Sequence, residues 1–346
     1  MKKTIDPRDR TKFARKLLTC YAARLSTIVV AVILLAVCFS DFQTRAEDTY
    51  SGQWIIEPSR ETDLLQLTLT YTAGRPAGQW GRGSSITSFG IAPDQLRGLT
   101  QAQMMSAGSN VQFQLVRDAG TFNCEGWFKG GRGSGHFAFA SSPAFVSELK
   151  RRDYPTPTEA QLFSMAMNDV GVAFIEELKA QGYERPSLDQ LVSMGDHGVT
   201  LEYVKGLKAL GYTLQSVQLL TRTVDHGVSL SFIKEMEGLG YKRLPIETLI
   251  KTVDHGVTPG YITELREFGH SNLSLEQLTR LVDHGVSPRF IKEIEAAGYG
   301  RPALDQLVKM QDHGVNARFI KKMKSRGFND LSIEELIKLA DHGFNE

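Results

Sequence analysis

Apolar residues recur along this chain with two different periods. Between residues 47 and 153 they alternate: Leu65, Leu67, Leu69 and Tyr71 are separated by Gln66, Thr68 and Thr70, and Val111, Phe113 and Leu115 by Gln112 and Gln114. Trp54-Ile55-Ile56 after Gly52, the run from Phe122 to Phe128, and His136 to Ala140 complete the set. Period two with β-branched and aromatic residues between glycine-rich turns predicts antiparallel strands with one buried face. Asp118-Ala119-Gly120 and the GGRGSG stretch from Gly130 to Gly135 read as hairpin turns. No Gly-Lys-Ser/Thr follows those glycines, and they lead into a strand, so they do not read as a phosphate cradle. Trp54 reads as the anchor of a small β core, and Pro143 to Arg152 as a short helix closing this part.

From residue 154 the spacing becomes helical and a longer period appears. Asp196-His-Gly-Val, Asp225-His-Gly-Val, Asp254-His-Gly-Val, Asp283-His-Gly-Val, Asp312-His-Gly-Val and Asp341-His-Gly-Phe recur with a 29-residue period. Asp169-Val-Gly-Val reads as a degenerate first copy, one 27-residue step before the next. A fixed period of this length announces stacked repeats. In one unit, Ser287-Pro288 is an N-cap with proline at the first helical position. Phe290, Ile291, Ile294 and Ala297 then form an apolar stripe, Gly298 stops the helix, and Leu304, Leu307, Val308 and Gln311 repeat the stripe before Gly314. Each glycine precedes an apolar residue, which suits a Schellman stop with the next side chain latched back onto the last turn.

The repeated Asp-His pair invites a metal or catalytic reading. Equivalent helices in a stack stand roughly 8–10 Å apart, whereas two ligands of one zinc need nitrogens about 2 Å from it, so successive histidines cannot share an ion. The sequence therefore assigns no catalytic, cofactor-binding or metal-binding residue. It places His at a helix C-terminus, bonded to free carbonyls, and makes Asp an acceptor for the following helix. A basic column, Arg222, Lys251, Arg280, Lys309 and Lys338, sits three residues before Asp225, Asp254, Asp283, Asp312 and Asp341. It reads as a solvated face paired at i, i+4 with Glu247, Glu276 and Glu334, with binding of an anionic polymer as the other possibility.

Charge changes the picture only once the N-terminus is set aside. The chain of 346 residues has 40 Lys and Arg against 39 Asp and Glu, but residues 1–46 hold nine of the former and three of the latter, which leaves a net −5 on the remainder. An acidic body is a poor nucleic-acid ligand, and no nucleic-acid partner is expected. Eight of those basic residues precede an apolar run, Ile28 to Phe39, followed by small residues to Thr44-Arg45-Ala46. That order predicts a signal peptide or an uncleaved N-terminal membrane anchor over 1–46, with membrane contact through residues 25–39 if uncleaved and an extracytoplasmic location, periplasmic or secreted. Cys20 and Cys38 fall in this stretch, leaving Cys124 with no bridging partner.

The repeat motif DHGV-x-P-x-[FY]-I-K-E-[LI]-x-x-x-G-Y, preceded by VRDAGTFNCEGWFKGGRGSGHF, resembles repeat-bearing envelope proteins of bacteria and the extracytoplasmic tails of some BlaR1-type membrane sensors. The resemblance covers residues 50–346. The peptidase activity of those sensors does not transfer, because no His-Glu-x-x-His occurs here. The expectation is an α+β chain: residues 1–46 as leader, 47–153 as an antiparallel β domain, and 154–346 as an α-solenoid of 29-residue helical hairpins. The expected function is a non-enzymatic envelope protein that binds a protein partner through its repeats and needs no cofactor. The alternative is a ligand sensor whose β domain is the receptor, with a pocket lined by Trp54, Phe113, Phe122 and Trp127.

Overall fold

The computed structural model describes residues 50–59, 63–72 and 84–344. These form an antiparallel sheet followed by a run of many short helices, an α+β arrangement. The described residues fall into two compact units: those up to 116 together with 122–140, and 117–121 together with those from 141 on.

The first unit holds a seven-stranded antiparallel sheet in the order β3-β2-β1-β7-β6-β5-β4. Its strands are β1 (Ser51–Pro58), β2 (Leu65–Thr72), β3 (Ser84–Ile91), β4 (Leu96–Arg97), β5 (Ser109–Arg117), β6 (Gly120–Lys129) and β7 (Arg132–Ser141), with one short helix, α1 (Gln101–Met104). Register follows from burying one face: Trp54 pairs with Leu69 and Ile56 with Leu67, and all four are buried. Trp54 stacks on Phe128 and meets Phe113 edge-on, while its Nε1 donates to the carbonyls of Glu125 and His136, both at 3.1 Å. The indole needs glycine beside it, since a Cβ at Gly126 would come within 2.6 Å of its ring and one at Gly135 within 2.8 Å. Gly130 and Gly131, both with positive φ, make the two-residue turn between β6 and β7, while the rest of the stretch expected as turn, Arg132 to Gly135, belongs to β7.

β3 has no counterpart in the sequence reading. It is an edge strand whose Ser and Thr residues outnumber its apolar ones, and Ile86 on it is 69% exposed. With neither face fully buried, the alternation that marks the other strands is weak.

The second unit contains, in chain order, α2 (Pro143–Arg151), α3 (Glu159–Met167), α4 (Val172–Ala180), α5 (Leu188–Asp196), α6 (Leu201–Ala209), α7 (Val217–Asp225), α8 (Leu230–Gly238), α9 (Ile246–Asp254), α10 (Pro259–Glu267), α11 (Leu275–Asp283), α12 (Pro288–Ile294), α13 (Leu304–Asp312), α14 (Ala317–Ser325) and α15 (Ile333–Leu339). Even-numbered helices pack on even-numbered ones and odd on odd: α4 on α6, α6 on α8, α10 on α12, and α3 on α5, α5 on α7, α11 on α13. The stripes of neighbouring helices merge into one continuous core that runs from Met236 to Ala340 and includes Leu265, Leu278, Ile291 and Leu307.

Most of these helices have a built start and a built stop. Thr200, Ser229, Thr258, Ser287 and Asn316 cap even-numbered helices by accepting from the backbone N–H three residues on. At the far end of α9, Gly256 N–H reaches the Val253 carbonyl at 2.8 Å and Val257 N–H the Thr252 carbonyl at 3.0 Å, the two bonds of a Schellman stop. Gly198, Gly227, Gly285 and Gly314 do the same, all with φ near +75°. The latch residues Val199, Val228, Val257, Val286 and Val315 are all buried.

Two expectations change at the start of this run. The first copy keeps the 29-residue offset of the others, and the 27-residue step does not hold. Helix α3 ends at Asn168 as α5 ends at His197, Asp169 takes the left-handed seat (φ +54°) that Gly198 fills later, and Val170 is the latch in place of Val199. Val170 is therefore not the counterpart of His. The closing helix of the β part, α2, also matches the even-numbered helices at the same interval: SPAFVSELKRRDY from Ser142 corresponds to SPRFIKEIEAAGY from Ser287, with Asp153 left-handed where Gly298 stands.

The expected signal peptide or membrane anchor is corrected. Crossing the hydrocarbon core takes about 20 apolar helical residues, and among the described residues no helix is long and apolar enough to cross a membrane. Membrane contact through residues 25–39, and the extracytoplasmic location inferred from it, are not carried forward. Residues 1–46 lie outside the described residues.

A β-branched side chain resists positive φ, so Gly256→Val is expected to destabilise the chain by about 2 kcal/mol or more in urea unfolding monitored by helicity. A change below about 0.5 kcal/mol, the scale of an ordinary surface substitution, would mean that the left-handed stop is not required.

Candidate functional site

The most regular polar feature is a ladder built by the DHG motif. The Nδ1 of His197, His226, His255, His284 and His313 lies 2.5–2.8 Å from Oδ1 of Asp225, Asp254, Asp283, Asp312 and Asp341 respectively. Each His thus meets the Asp of the next unit, not its own. The sequence predicts Asp as a cap for the following helix, but those N–H groups already have Ser, Thr or Asn caps, so the carboxylate turns to the neighbour instead. A carboxylate only accepts, so the shared proton of each rung sits on Nδ1.

The first rung supports that assignment. Asn168 occupies the His seat and its Nδ2 donates to Asp196 Oδ1 at 2.7 Å, joined by Ser164 Oγ at 2.6 Å. An amide N–H replaces Nδ1–H, whereas a valine could not. His342 meets the Lys338 carbonyl instead, as the sequence predicts for all six. The rungs are about two-fifths exposed, 44% for both His255 and Asp283. Each pair consequently contributes little singly, within about 1 kcal/mol. Among the described residues no group of three His, Cys, Asp or Glu side chains converges as a metal site would require.

Arg222, Lys251, Arg280, Lys309 and Lys338 are exposed on odd-numbered helices. The ion pairs of Arg222 and Arg280 run between units and not at i, i+4. Arg222 grips both oxygens of Glu247 at 3.0 and 2.8 Å, and Arg280 Nη1 meets Asp305 at 2.5 Å, in each case in the first turn of the next odd-numbered helix. Glutamine adds a similar link: Gln161 Nε2 donates to Asp189 and Gln306 Nε2 to Glu334.

An aromatic column, absent from the sequence reading, also follows the period: Tyr154, Tyr183, Tyr212, Tyr241, His270, Tyr299 and Phe328. Tyr212, Tyr241 and Tyr299 donate their hydroxyls to the carbonyls of Leu244, Leu273 and Leu331 in the next unit's loop. His270 is the exception. Its Nε2 is buried without a partner, and burial holds the imidazole below its usual range, with smaller influences from Glu295, which raises it, and Arg301, which lowers it.

In the sheet unit, the four aromatic residues expected to line a pocket do not converge on one. Trp54, Phe113 and Phe122 are core residues, and Trp127 is 45% exposed. Two adjoining hollows of about 600 and 590 Å³ share Gln112, Glu125 and His136. Cys124 beside them is buried, and burial pushes its thiol up to about 12, so it stays protonated and unreactive.

Comparison of the chain with protein-family models, curated proteins and solved structures finds no match.

If His255 serves as an Nδ1–H donor, His255→Asn should retain most of the stability and His255→Val should lose about 1 kcal/mol in urea unfolding. Equal loss in both variants would contradict the rung. The depressed His270 gives a signed pH effect. The unfolded chain binds the proton more readily there, so the stability contributed by neutral His270 is present above its unfolded value of about 6.5 and is lost as pH falls below it. The stability difference between the parent chain and His270→Tyr should therefore move in favour of the tyrosine variant as pH drops from 7 to 5. A difference that does not change with pH would contradict the burial of a neutral imidazole.

Proposed function

We propose that this chain is a non-enzymatic, protein-binding scaffold whose helices form an α-solenoid of short hairpins on a 29-residue unit. The carrying observation is where the polar side chains go. The His–Asp rungs, the Arg222 and Arg280 pairs, the Gln161 and Gln306 links and the Tyr–carbonyl bonds run from one unit to the next and do not gather around one centre among the described residues. Such an array adds surface with each unit and suits an extended protein partner. The resemblance of the DHGV unit to those of other repeat-bearing proteins supports the same reading. In this view the array begins at Ser142, and the antiparallel sheet before it is a separate domain.

The second reading, a ligand sensor, is favoured by the hollows over Gln112, Glu125 and His136, whose volumes fall in the range of small-molecule sites. Photo-cross-linkers at Lys251 and Arg280, compared with one at Gln112, separate the two in cells.

Removing one whole period, Asp254 to Val282, joins Val253 to Asp283 and leaves each stripe and rung in phase. The shortened chain should stay helical and soluble and should capture the array's cross-linked partner more weakly. A deletion of about half that length should aggregate or lose helicity, because one helix is left without its neighbour. Equal behaviour of the two deletions would overturn the solenoid reading. Cross-links confined to the Gln112 position, unchanged by the full-period deletion, would favour the sensor.

A further inference from the structure

The sheet has an outer face that its core does not use. Asn123, Glu125 and Trp127 alternate on β6 with the buried Phe122, Cys124 and Phe128, so the first three share that face. The Gly130–Gly131 turn sets Trp127 opposite Ser134 and Glu125 opposite His136 on β7. On the other side, the 2.7 Å bond from Gln114 to Asn123 fixes β5, which brings Gln112 beside Glu125 and Asn110 beside Trp127. β1 continues the pattern, since Ile55 pairs with Ser134 and Gln53 with His136.

Two rows therefore cross the strands side by side. One carries Trp127 and Ile55, 45% and 47% exposed, two strands apart and so about 10 Å from each other. The other carries Gln112, Glu125, His136 and Gln53, all exposed, about 6.5 Å away along the strands. Gly108 backs the indole, because a Cβ there would stand 3.4 Å from its six-membered ring. Gln112, Glu125 and His136 line both hollows of the sheet. Their side chains, like the Trp127 N–H, have no hydrogen-bond partner among the described residues. The charges around the rows are of both signs, Arg97, Lys129 and Arg132 against Glu57 and Glu125, so the face selects neither an anion nor a cation.

We propose that this face binds a neutral oligosaccharide, with one pyranose on Trp127 and its hydroxyl edge toward Gln112, Glu125 and His136. A sugar ring has the same division as the two rows. Its C–H face is apolar and packs on an indole, while each hydroxyl both donates and accepts. The amide of Gln112 does both as well, the Glu125 carboxylate accepts, and an imidazole offers a nitrogen of either kind. Ile55, in line with Trp127 across the strands, gives a second apolar rest, so the site suits several linked sugars better than one. The inference rests on the reading of the sheet as a ligand receptor and is independent of the helical array.

The test is titration of the full chain with neutral hexasaccharides of glucose, mannose and N-acetylglucosamine, followed by calorimetry and tryptophan fluorescence, with hexagalacturonate as the acidic control. Saturable binding of at least one neutral probe, tighter than that of the control, is expected, together with a change in tryptophan emission. Trp127→Ala should weaken binding about tenfold or more and remove the emission change, while Trp127→Phe keeps part of the affinity. Gln112→Ala and His136→Ala should each weaken it about three- to tenfold, the effect of one lost hydrogen bond. All four positions are exposed in wild type, so urea unfolding of the variants should match the parent chain. Phe328→Ala, at an exposed aromatic residue of the helical unit, should leave binding unchanged. Absence of saturable binding by all three neutral probes, tighter binding of hexagalacturonate, or unchanged affinity in Trp127→Ala and Gln112→Ala would overturn the proposal. Protein cross-links from Gln112 in cells, with no hexasaccharide bound, would overturn it too while leaving the sheet a receptor for a different ligand.

Discussion

A nine-residue helix is too short to persist in water by itself, because the cost of nucleation is spread over few hydrogen bonds. Everything in the helical unit follows from that limit. Left-handed residues, most of them glycines such as Gly256, end these helices before they can lengthen, and Val257 folds back against the turn just completed. The apolar stripe of α10, Ile262 and Leu265, can then be buried only by the helices beside it. Neighbour dependence is the condition under which this sequence has any stable helix.

The polar side chains obey the same condition. Packing of apolar stripes tolerates sliding, whereas a 2.8 Å bond between His255 and Asp283 does not. The rungs, the Arg222–Glu247 fork and the Tyr241–Leu273 bond fix the offset between units at three separate places. None is strong in isolation. Their common direction along the chain is what makes the interval the same from α3 to α15.

Much of this is legible in the residues. Glycine followed by an apolar residue announces the stops, Ser-Pro announces the starts, and alternation marks the buried strands of the sheet. The first copy misleads because its letters match where its conformation does not. Asp169 and Asp153 adopt the left-handed seat without being glycine, which hides the true offset and makes α2 look like part of the sheet region. The role of Asp is invisible locally because its partner lies in the next unit, beyond the reach of a pattern read along one helix. The placement of Arg185 over the Tyr154 ring is a tertiary detail without a sequence signature. β3 escapes because an edge strand with exposed faces has little reason to alternate.

The central claim is that the DHG histidines act as donors to their neighbours, and histidine side-chain NMR tests it most directly. At neutral pH the account predicts that His197, His226, His255, His284 and His313 carry their proton on Nδ1, each with a cross-unit correlation to the Asp that follows. Substituting Asp283 by Ala should abolish that signature at His255 alone. A spectrum in which these five rings carry no proton on Nδ1, or in which Asp283→Ala leaves His255 unchanged, would contradict it.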